Sequence, residues 1–295
     1  MKLLDGKIVS HNILEKLKEE IAVLKSTGKP VPFLAAILVG NNPASETYVA
    51  SKEKSCAAIG MNSEICKLSG DILQTELLAV IDKYNNNPAC NGILVQLPLP
   101  KHIDENDVIN HIKPEKDVDG FHPVNTGKLV IGTDCLVPCT PAGIHEIIKF
   151  YNIETSGKHA VVVGRSNIVG KPIANILIQK KPFANAVVTV CHSAANDLKF
   201  FTRQADILIA AIGSPLFIKA DMVKDGAVVI DVGINRIDDA ARPKGYRIVG
   251  DVDFDRVAEK TSFITPVPGG VGLTTIAMLL KNTLQAYHTQ NQISL

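Results

Sequence analysis

The stretch HAVVVGRSNIVGKP, residues 159–172, opens on an apolar run, turns at Gly164, and then reaches Gly170 and Pro172. A short apolar run that stops at glycine reads as a strand buried on both faces, and a proline just beyond it marks a helix start. Strand, glycine turn and helix in that order are the setting of a dinucleotide-binding loop. The helix N-terminus is then expected to offer free N–H groups and partial positive charge to a pyrophosphate. One position departs from the usual G-x-G-x-x-G spacing: Ser166 stands in the middle, where a glycine would let the backbone approach the phosphates. On this loop alone a purely structural turn stays open as a reading. The next strand bears on the cofactor. AVVTVC (186–191) runs into His192 and Ser193, where an NAD site would carry a carboxylate for the ribose 2′-OH. With Arg165 in the loop, a 2′-phosphate can be received instead. A charge-assisted hydrogen bond of about 1.5–3 kcal/mol would favour NADP by roughly ten- to a hundredfold.

Outward from this loop the chain alternates. Strands are expected at DILIAAIG (206–213), GAVVIDVG (226–233) and FIT (263–265), with a closing helix over residues 273–286. Upstream, Ile13, Leu14, Leu17, Ile21 and Leu24 recur at helical spacing, and PFLAAILVG (32–40) reads as a buried strand. A helix follows over 41–60, with Val49, Cys56 and Ile59 facing inward, a proline near its start and Gly60 at its stop. Tyr48 and Lys52 lie off that stripe on one flank, with Ser45 and Ser55 above and below. SEICKL (63–68), a helix over 72–84, GILVQL (92–97) and a helix over 105–112 continue the rhythm. Such βαβ alternation predicts parallel sheets and an α/β protein of two α/β domains. Residues 113–141 are rich in Gly, Pro and Asp, which places the boundary there: residues 1–121 form one domain and 122–295 a Rossmann-like domain that includes the last helix.

Bulk properties exclude several function classes. A chain of 295 residues with 46% hydrophobic and 21% charged residues builds a core. Its 31 basic and 30 acidic residues give no global field for nucleic acid or an anionic membrane, so neither is an expected partner. The six cysteines show no CxxC pair or zinc-ligand spacing; they read as thiols in a reducing compartment, and no metal site is expected. The first twenty residues interrupt every apolar run with charge, which fits neither a signal peptide nor an anchor. The expected location is the cytoplasm.

Candidate chemistry begins at TYVASKEKSC (47–56), where Tyr48 and Lys52 stand four residues apart and so share a helix face. Taken alone, the pair also reads as a solvated flank, because Lys52, Glu53 and Lys54 are consecutive. Short-chain dehydrogenases use a Tyr-x-x-x-Lys pair too, but there the glycine loop comes first; here the pair precedes Gly164 by more than a hundred residues. The pair must therefore meet a cofactor across an interdomain cleft. VQLPLP (95–100) sets Gln96 at a strand end, and EKDVDGFHPVN (115–125) presents Asp117 and Asp119. Strand carboxyl ends are where parallel sheets bind ligands, although each residue singly also reads as a turn or cap.

Together these segments resemble the bifunctional methylenetetrahydrofolate dehydrogenase/methenyltetrahydrofolate cyclohydrolase family. The resemblance spans nearly the whole chain through YVASK (48–52), VQLPLP, DVDGFHPVN (117–125), PCTPAGI (138–144), GRSNIVGKP (164–172), DVGIN (231–235), GDVDF (250–254) and TPVPGGVG (265–272). It implies NADP-dependent oxidation of 5,10-methylenetetrahydrofolate, then hydrolysis of the methenyl product to 10-formyltetrahydrofolate, by a homodimer. By the same resemblance Lys52, Tyr48, Gln96 and Asp119 are the catalytic set. Lys52 moves protons, Gln96 orients it, Tyr48 stacks on the folate rings, and Asp119 accepts hydrogen bonds from the pterin edge. Val95, Leu97, Pro268, Gly269 and Gly270 join them in substrate binding; Gly164, Arg165, Ser166, Gly170, Ser193, Ile234 and Gly272 hold the cofactor. Two stretches depart from the family pattern. Ala194-Ala195 stands where Lys-Thr is common, and Leu273-Thr274-Thr275 where Pro-Met-Thr is common. A regulatory protein that kept the fold without the chemistry would be expected to have lost Lys52, Gln96 or Asp119. A hydroxy-acid or amino-acid dehydrogenase would call for a carboxylate-binding arginine, and residues 1–121 contain none.

Overall fold

The computed structural model describes residues 1–242 and 245–291. It divides into two compact units, each assembled from separate stretches of chain. One comprises Met1–Ser10, Leu129–Gly132 and Thr140–Thr275; the other comprises His11–Lys128, Thr133–Cys139 and Ile276–Leu295.

The first unit is built on a six-stranded, all-parallel sheet. Its strands run in the order Lys2–Leu3, Phe263–Ile264, Val228–Asp231, Ile207–Ala210, His159–Val163 and Val187–Cys191. Val161, Leu208 and Val229 are fully buried, as a parallel sheet covered on both faces requires. The register brings the carboxyl ends level: Val163 pairs with both Cys191 and Ala210, and Ala210 pairs with Asp231. The loops leaving these four strands therefore share one rim. A separate antiparallel hairpin, Asn235–Asp238 with Tyr246–Val249, follows the strand that ends at Asp231.

The second unit has a three-stranded parallel sheet with Phe33–Val39 in the centre, Asn62–Leu68 on one side and Gly92–Val95 on the other. Leu77 and Ile81, on the helix Gln74–Asn85, pack against Ile37 and Ile93. The helix Pro43–Ile59 starts and stops as its sequence dictates. Asn42 caps it by accepting from the N–H groups of Ala44 and Ser45, and Gly60 leaves it at φ 81°. Its buried stripe is Ser45, Val49, Cys56 and Ile59. Ser45 thus belongs to the inward stripe and not to the flank with Tyr48, because positions 45, 49, 52, 56 and 59 form one row at helical spacing.

Two helices lie where the sequence suggests a linker or no element, Pro123–Ile131 and Cys139–Phe150. In the second, Ile144, Ile147 and Ile148 are fully buried at helical spacing, a stripe masked in the sequence by the prolines and glycine ahead of it. The closing helix Val271–Gln290 lies, from Ile276 onward, in the unit built on residues 11–128. Asn282 donates to Val118 O and Val137 O, both at 2.8 Å, and Gln290 donates to Asn91 O and Glu115 O at 2.8 Å. Among the described residues no helix is long and apolar enough to cross a membrane.

Candidate active site

In the three-stranded unit the site starts where the strand Gly92–Val95 ends. One further bond, Gln96 N–H to Ile37 O at 2.9 Å, continues the ladder with the central strand and fixes Gln96 at the carboxyl edge of the sheet. The Gln96 side chain is then held at both ends: its Nε2 donates to Leu97 O at 2.7 Å, and its Oε1 accepts from Lys52 Nζ at 2.9 Å. Lys52 sits at the margin of the buried row of its helix and is partly exposed, while Tyr48, one turn earlier, is 48% exposed and presents its ring to solvent. Val95 is buried in the core, whereas Gln96 and Leu97 are partly exposed.

Asp119 completes this group. Gly120, at φ 75°, makes the turn behind it, and a side chain there would meet Pro138 N at 2.5 Å, so the turn packs flush on the following segment. Asp117 serves the backbone instead. Its Oδ2 accepts from the His122 N–H at 2.8 Å and from Asn125 Nδ2 at 3.0 Å, which ties the segment to itself. Burial pushes the Asp119 carboxyl up to about 6; the charge of Lys52 pulls it back and that of Asp117 adds to the rise. Cys139 and Asn282 belong to the same cluster and have no counterpart among the residues expected from sequence. Cys139 Sγ lies 3.9 Å from Asp119 Oδ1 and 3.7 Å from Asn282 Nδ2. Burial, and then the carboxylate of Asp119, push its thiol well above the ordinary range. PCTPAGI carries Cys139 in a recognisable motif, but nothing near Asn282 in the sequence marks it.

In the six-stranded unit the glycine turn is built for close approach. Gly164 has φ 135°, and a Cβ on it would lie 2.2 Å from Ala211 O; a Cβ on Gly170 would lie 2.1 Å from Gly164 O. Neither position admits a side chain. The helix that follows, Gly170–Leu177, does not present the free N–H groups expected of it. Ser166 Oγ accepts from Val169 N at 3.1 Å and Gly170 N at 3.3 Å, and Ser166 O accepts from Lys171 N at 3.1 Å. The serine in place of the middle glycine turns its hydroxyl onto the helix start. Arg165 and Ser193 are both exposed, at the ends of neighbouring strands paired through Val163 and Cys191. Ile234, 55% exposed, lies against Gly272, where a Cβ would come within 3.2 Å of Ile234 Cδ1.

Pro268, Gly269 and Gly270 belong to this same unit. Gly269 has φ 117°, and its carbonyl accepts from the Gly6 N–H at 2.9 Å. Of the departures from the family pattern, Thr274 is fully buried: its Oγ1 donates to Val271 O at 2.8 Å and fills the space beside Gly143. Thr275 Oγ1 lies 3.4 Å from Thr140 Oγ1. Ala194 and Ala195 form a turn on His192, whose Nδ1 accepts from Ala194 N and whose carbonyl accepts from Ala195 N. Among the described residues no group of His, Cys, Asp and Glu is arranged to hold a metal ion.

The residues present fit a dinucleotide phosphate. The rim of level strand ends, the tight glycine turn, exposed Arg165 and the non-acidic end of the second strand are features such a site uses, while the N–H groups at the helix start are bonded to Ser166.

Comparison with known proteins places both halves. Residues 4–119 match the catalytic domain of tetrahydrofolate dehydrogenase/cyclohydrolase, and residues 138–291 match the NAD(P)-binding domain of the same family. The bifunctional protein FolD of Chlorobium phaeobacteroides is 57% identical over 295 residues, covering 99% of this chain and 100% of the relative. Among solved structures, the bifunctional FolD dehydrogenase/cyclohydrolase of Campylobacter jejuni is similar with a TM-score of 0.92 and 50% identity, over 98% of this chain and 99% of that one. The dehydrogenase-cyclohydrolase of Trypanosoma brucei, solved with NADP cofactor and an inhibitor, is similar with a TM-score of 0.91 and 40% identity, over 98% and 97% of the two chains.

Proposed function

This chain belongs to the tetrahydrofolate dehydrogenase/cyclohydrolase family, and on that premise we propose how its residues divide two consecutive reactions on a one-carbon folate. In the first, 5,10-methylenetetrahydrofolate gives up hydride to NADP and becomes the methenyl cation. In the second, water adds to that cation and a carbon–nitrogen bond opens to leave 10-formyltetrahydrofolate.

Tyr48 supplies a flat, exposed ring for the folate to stack on. Asp119, ionised, accepts two hydrogen bonds from the amino-pyrimidine edge of the pterin. Lys52 is the acid/base of the hydrolysis: its unprotonated amine takes a proton from the attacking water, and the ammonium so formed returns that proton to the departing nitrogen. The observation that carries this assignment is the 2.9 Å bond from Lys52 Nζ to Gln96 Oε1. It fixes Nζ in position through a neutral acceptor, which leaves the nitrogen able to gain and lose a proton. Gln96 is itself anchored by backbone at both ends, so Lys52 is held at low entropic cost. Val95, Leu97, Pro268, Gly269 and Gly270 complete the folate contacts in this reading.

NADP supplies the hydride acceptor when bound. Gly164 and Gly170 let backbone close in, Arg165 and Ser193 receive the 2′-phosphate, Ser166 shapes the turn, and Ile234 with Gly272 forms an apolar ledge for the nicotinamide. No general base is needed for hydride loss, because the folate nitrogens supply the electronic push and the protein's part is positioning.

The working form in this reading is a cytoplasmic homodimer. Support for the dimer is the strand Val187–Cys191, which lies at the edge of the six-stranded sheet with Val187 at 62% and Val190 at 41% exposure.

A spectrophotometric assay with 5,10-methylenetetrahydrofolate tests the assignment. Reduced NADP is expected to form without matching accumulation of the methenyl product, at a catalytic efficiency roughly ten- to a hundredfold above that with NAD. Comparable efficiencies with the two cofactors would overturn the role given to Arg165, and no reduction of either would overturn the substrate.

A further inference from the structure

Two carboxylates in the six-stranded unit, Asp231 and Asp251, are almost wholly withdrawn from solvent, at 3% and 0% exposure. Neither is among the residues assigned to substrate or cofactor above. A buried carboxylate is costly unless its oxygens are filled with donors, and these are. Asp231 Oδ1 accepts from Gly233 N at 3.0 Å and Asp251 N at 2.9 Å, and its Oδ2 from Val252 N at 3.0 Å. Asp251 Oδ2 accepts from Ile212 N at 2.6 Å and Gly213 N at 2.9 Å, and its Oδ1 from Ser214 N at 3.0 Å and Asn235 Nδ2 at 2.8 Å. The two glycines beside them are what let the carboxylates in. A Cβ on Gly233 would lie 2.3 Å from Asp251 Oδ1, and one on Gly250 would lie 1.8 Å from Asp231 Oδ2.

The groups that Asp251 gathers are not arbitrary. Ile212, Gly213 and Ser214 are the first turn out of the strand Ile207–Ala210, next to Ala211, whose carbonyl is the surface on which Gly164 packs. Asn235 directly follows Ile234, the exposed side chain that rests on Gly272. One carboxylate therefore ties together the loop beside the glycine turn and the loop that carries Ile234, two parts of the proposed cofactor site.

We infer that Asp251 is a positioning residue for NADP: through Ile212–Ser214 and Asn235 it sets the spacing between the loop that supports Gly164 and the ledge formed by Ile234. Asp231 acts one step behind it, orienting the backbone of Asp251 and Val252. Asp251, at 0% exposure, acts through the groups it holds, and its role rests on the cofactor assignment made above.

The family chemistry supplies an internal control. Hydrolysis of added 5,10-methenyltetrahydrofolate depends on Lys52 in the other unit and consumes no NADP. The test uses Asn235→Ala, which removes one partner and leaves the backbone bonds intact, together with Asp251→Asn, which leaves backbone donors facing an amide. For each, KM and kcat for NADP are measured with 5,10-methylenetetrahydrofolate, NADP affinity is measured by calorimetry, and cyclohydrolase activity is measured with the methenyl substrate. The expected result is a rise in KM and Kd for NADP, several-fold for Asn235→Ala and on the order of tenfold or more for Asp251→Asn, with cyclohydrolase activity within about twofold of the parent enzyme. An unchanged KM and Kd for NADP in Asn235→Ala would overturn the inference, as would parallel loss of both activities in that variant. Failure of the parent enzyme to bind NADP would instead overturn the cofactor assignment, so the two can be told apart.

Discussion

Asp119 is asked to be charged where burial resists charge. Its carboxyl is pushed up to about 6, against an ordinary value of about 3.9, mainly by loss of solvent. A group whose folded-state value is raised contributes stability below its unfolded value and loses that contribution as pH rises through the folded one. Relative to a neutral side chain, Asp119 therefore costs the folded state nothing below about pH 4, where it is protonated, and a cost grows between about pH 4 and 6 and stands in full above about pH 6. Asp119→Asn is expected to be more stable than the parent at about pH 8, by an amount on the order of 2 kcal/mol, with the gain shrinking toward zero at about pH 4. Thermal melts across that range check it; a difference independent of pH would show that Asp119 is not held in this way. The same change should weaken folate binding, because an amide replaces one acceptor with a donor. At this scale the motifs of the sequence singled out Lys52, Gln96 and Asp119, and the structure brings the three into one cluster. It was not legible for Ser166, Cys139, Asn282 and Asp251. Their work depends on what lies opposite them, and sequence order does not carry that information.

The glycine turn shows how far an element can be read from its own residues. Strand, glycine and helix all form where the spacing requires, and Gly164 and Gly170 are fixed by contacts that leave no space for a Cβ. Gly164→Ala must move either the turn or Ala211, at a φ that L side chains rarely adopt. A stability loss of about 2 kcal/mol or more and loss of NADP affinity are expected together. Denaturant unfolding and calorimetry measure the two, and full NADP affinity in a folded Gly164→Ala protein would contradict the geometry. What the element did not disclose was where its polar groups go. The serine in the middle position reads as an obstacle to phosphate, but its hydroxyl instead occupies the helix N–H groups that a phosphate would otherwise meet. The helix Cys139–Phe150 was obscured for a related reason: its apolar stripe begins only after Pro141 and Gly143.

For the whole molecule, chain order is an incomplete guide to which segments pack together. Residues 1–10 lie in the same unit as Thr140–Thr275, and Ile276–Leu295 lie with His11–Lys128, so the chain enters each unit more than once. Long-range bonds such as Asn282 to Val118 O make that arrangement, and local periodicity cannot announce them. The α/β class and parallel sheets did follow from periodicity, because alternating strands and helices leave few other ways to bury both faces. The exposed edge strand leads to a prediction at this scale. If the proposed dimer pairs through this edge, Val187→Lys places a charge on it and is expected to shift dimer to monomer in sedimentation measurements; a parent that sediments as a monomer, or a variant that stays dimeric, would contradict that interface. Above all, hydrolysis and hydride transfer are expected to depend on separate residues of one protein. The most direct measurement compares the parent enzyme with Lys52→Met on 5,10-methylenetetrahydrofolate and NADP, following reduced cofactor and acid-quenched methenyl product together. Hydrolysis is expected to fall on the order of 10²–10⁴-fold while reduced NADP still forms and the methenyl product accumulates. Equal loss of both activities would contradict that separation and leave Lys52 as a substrate-binding residue only.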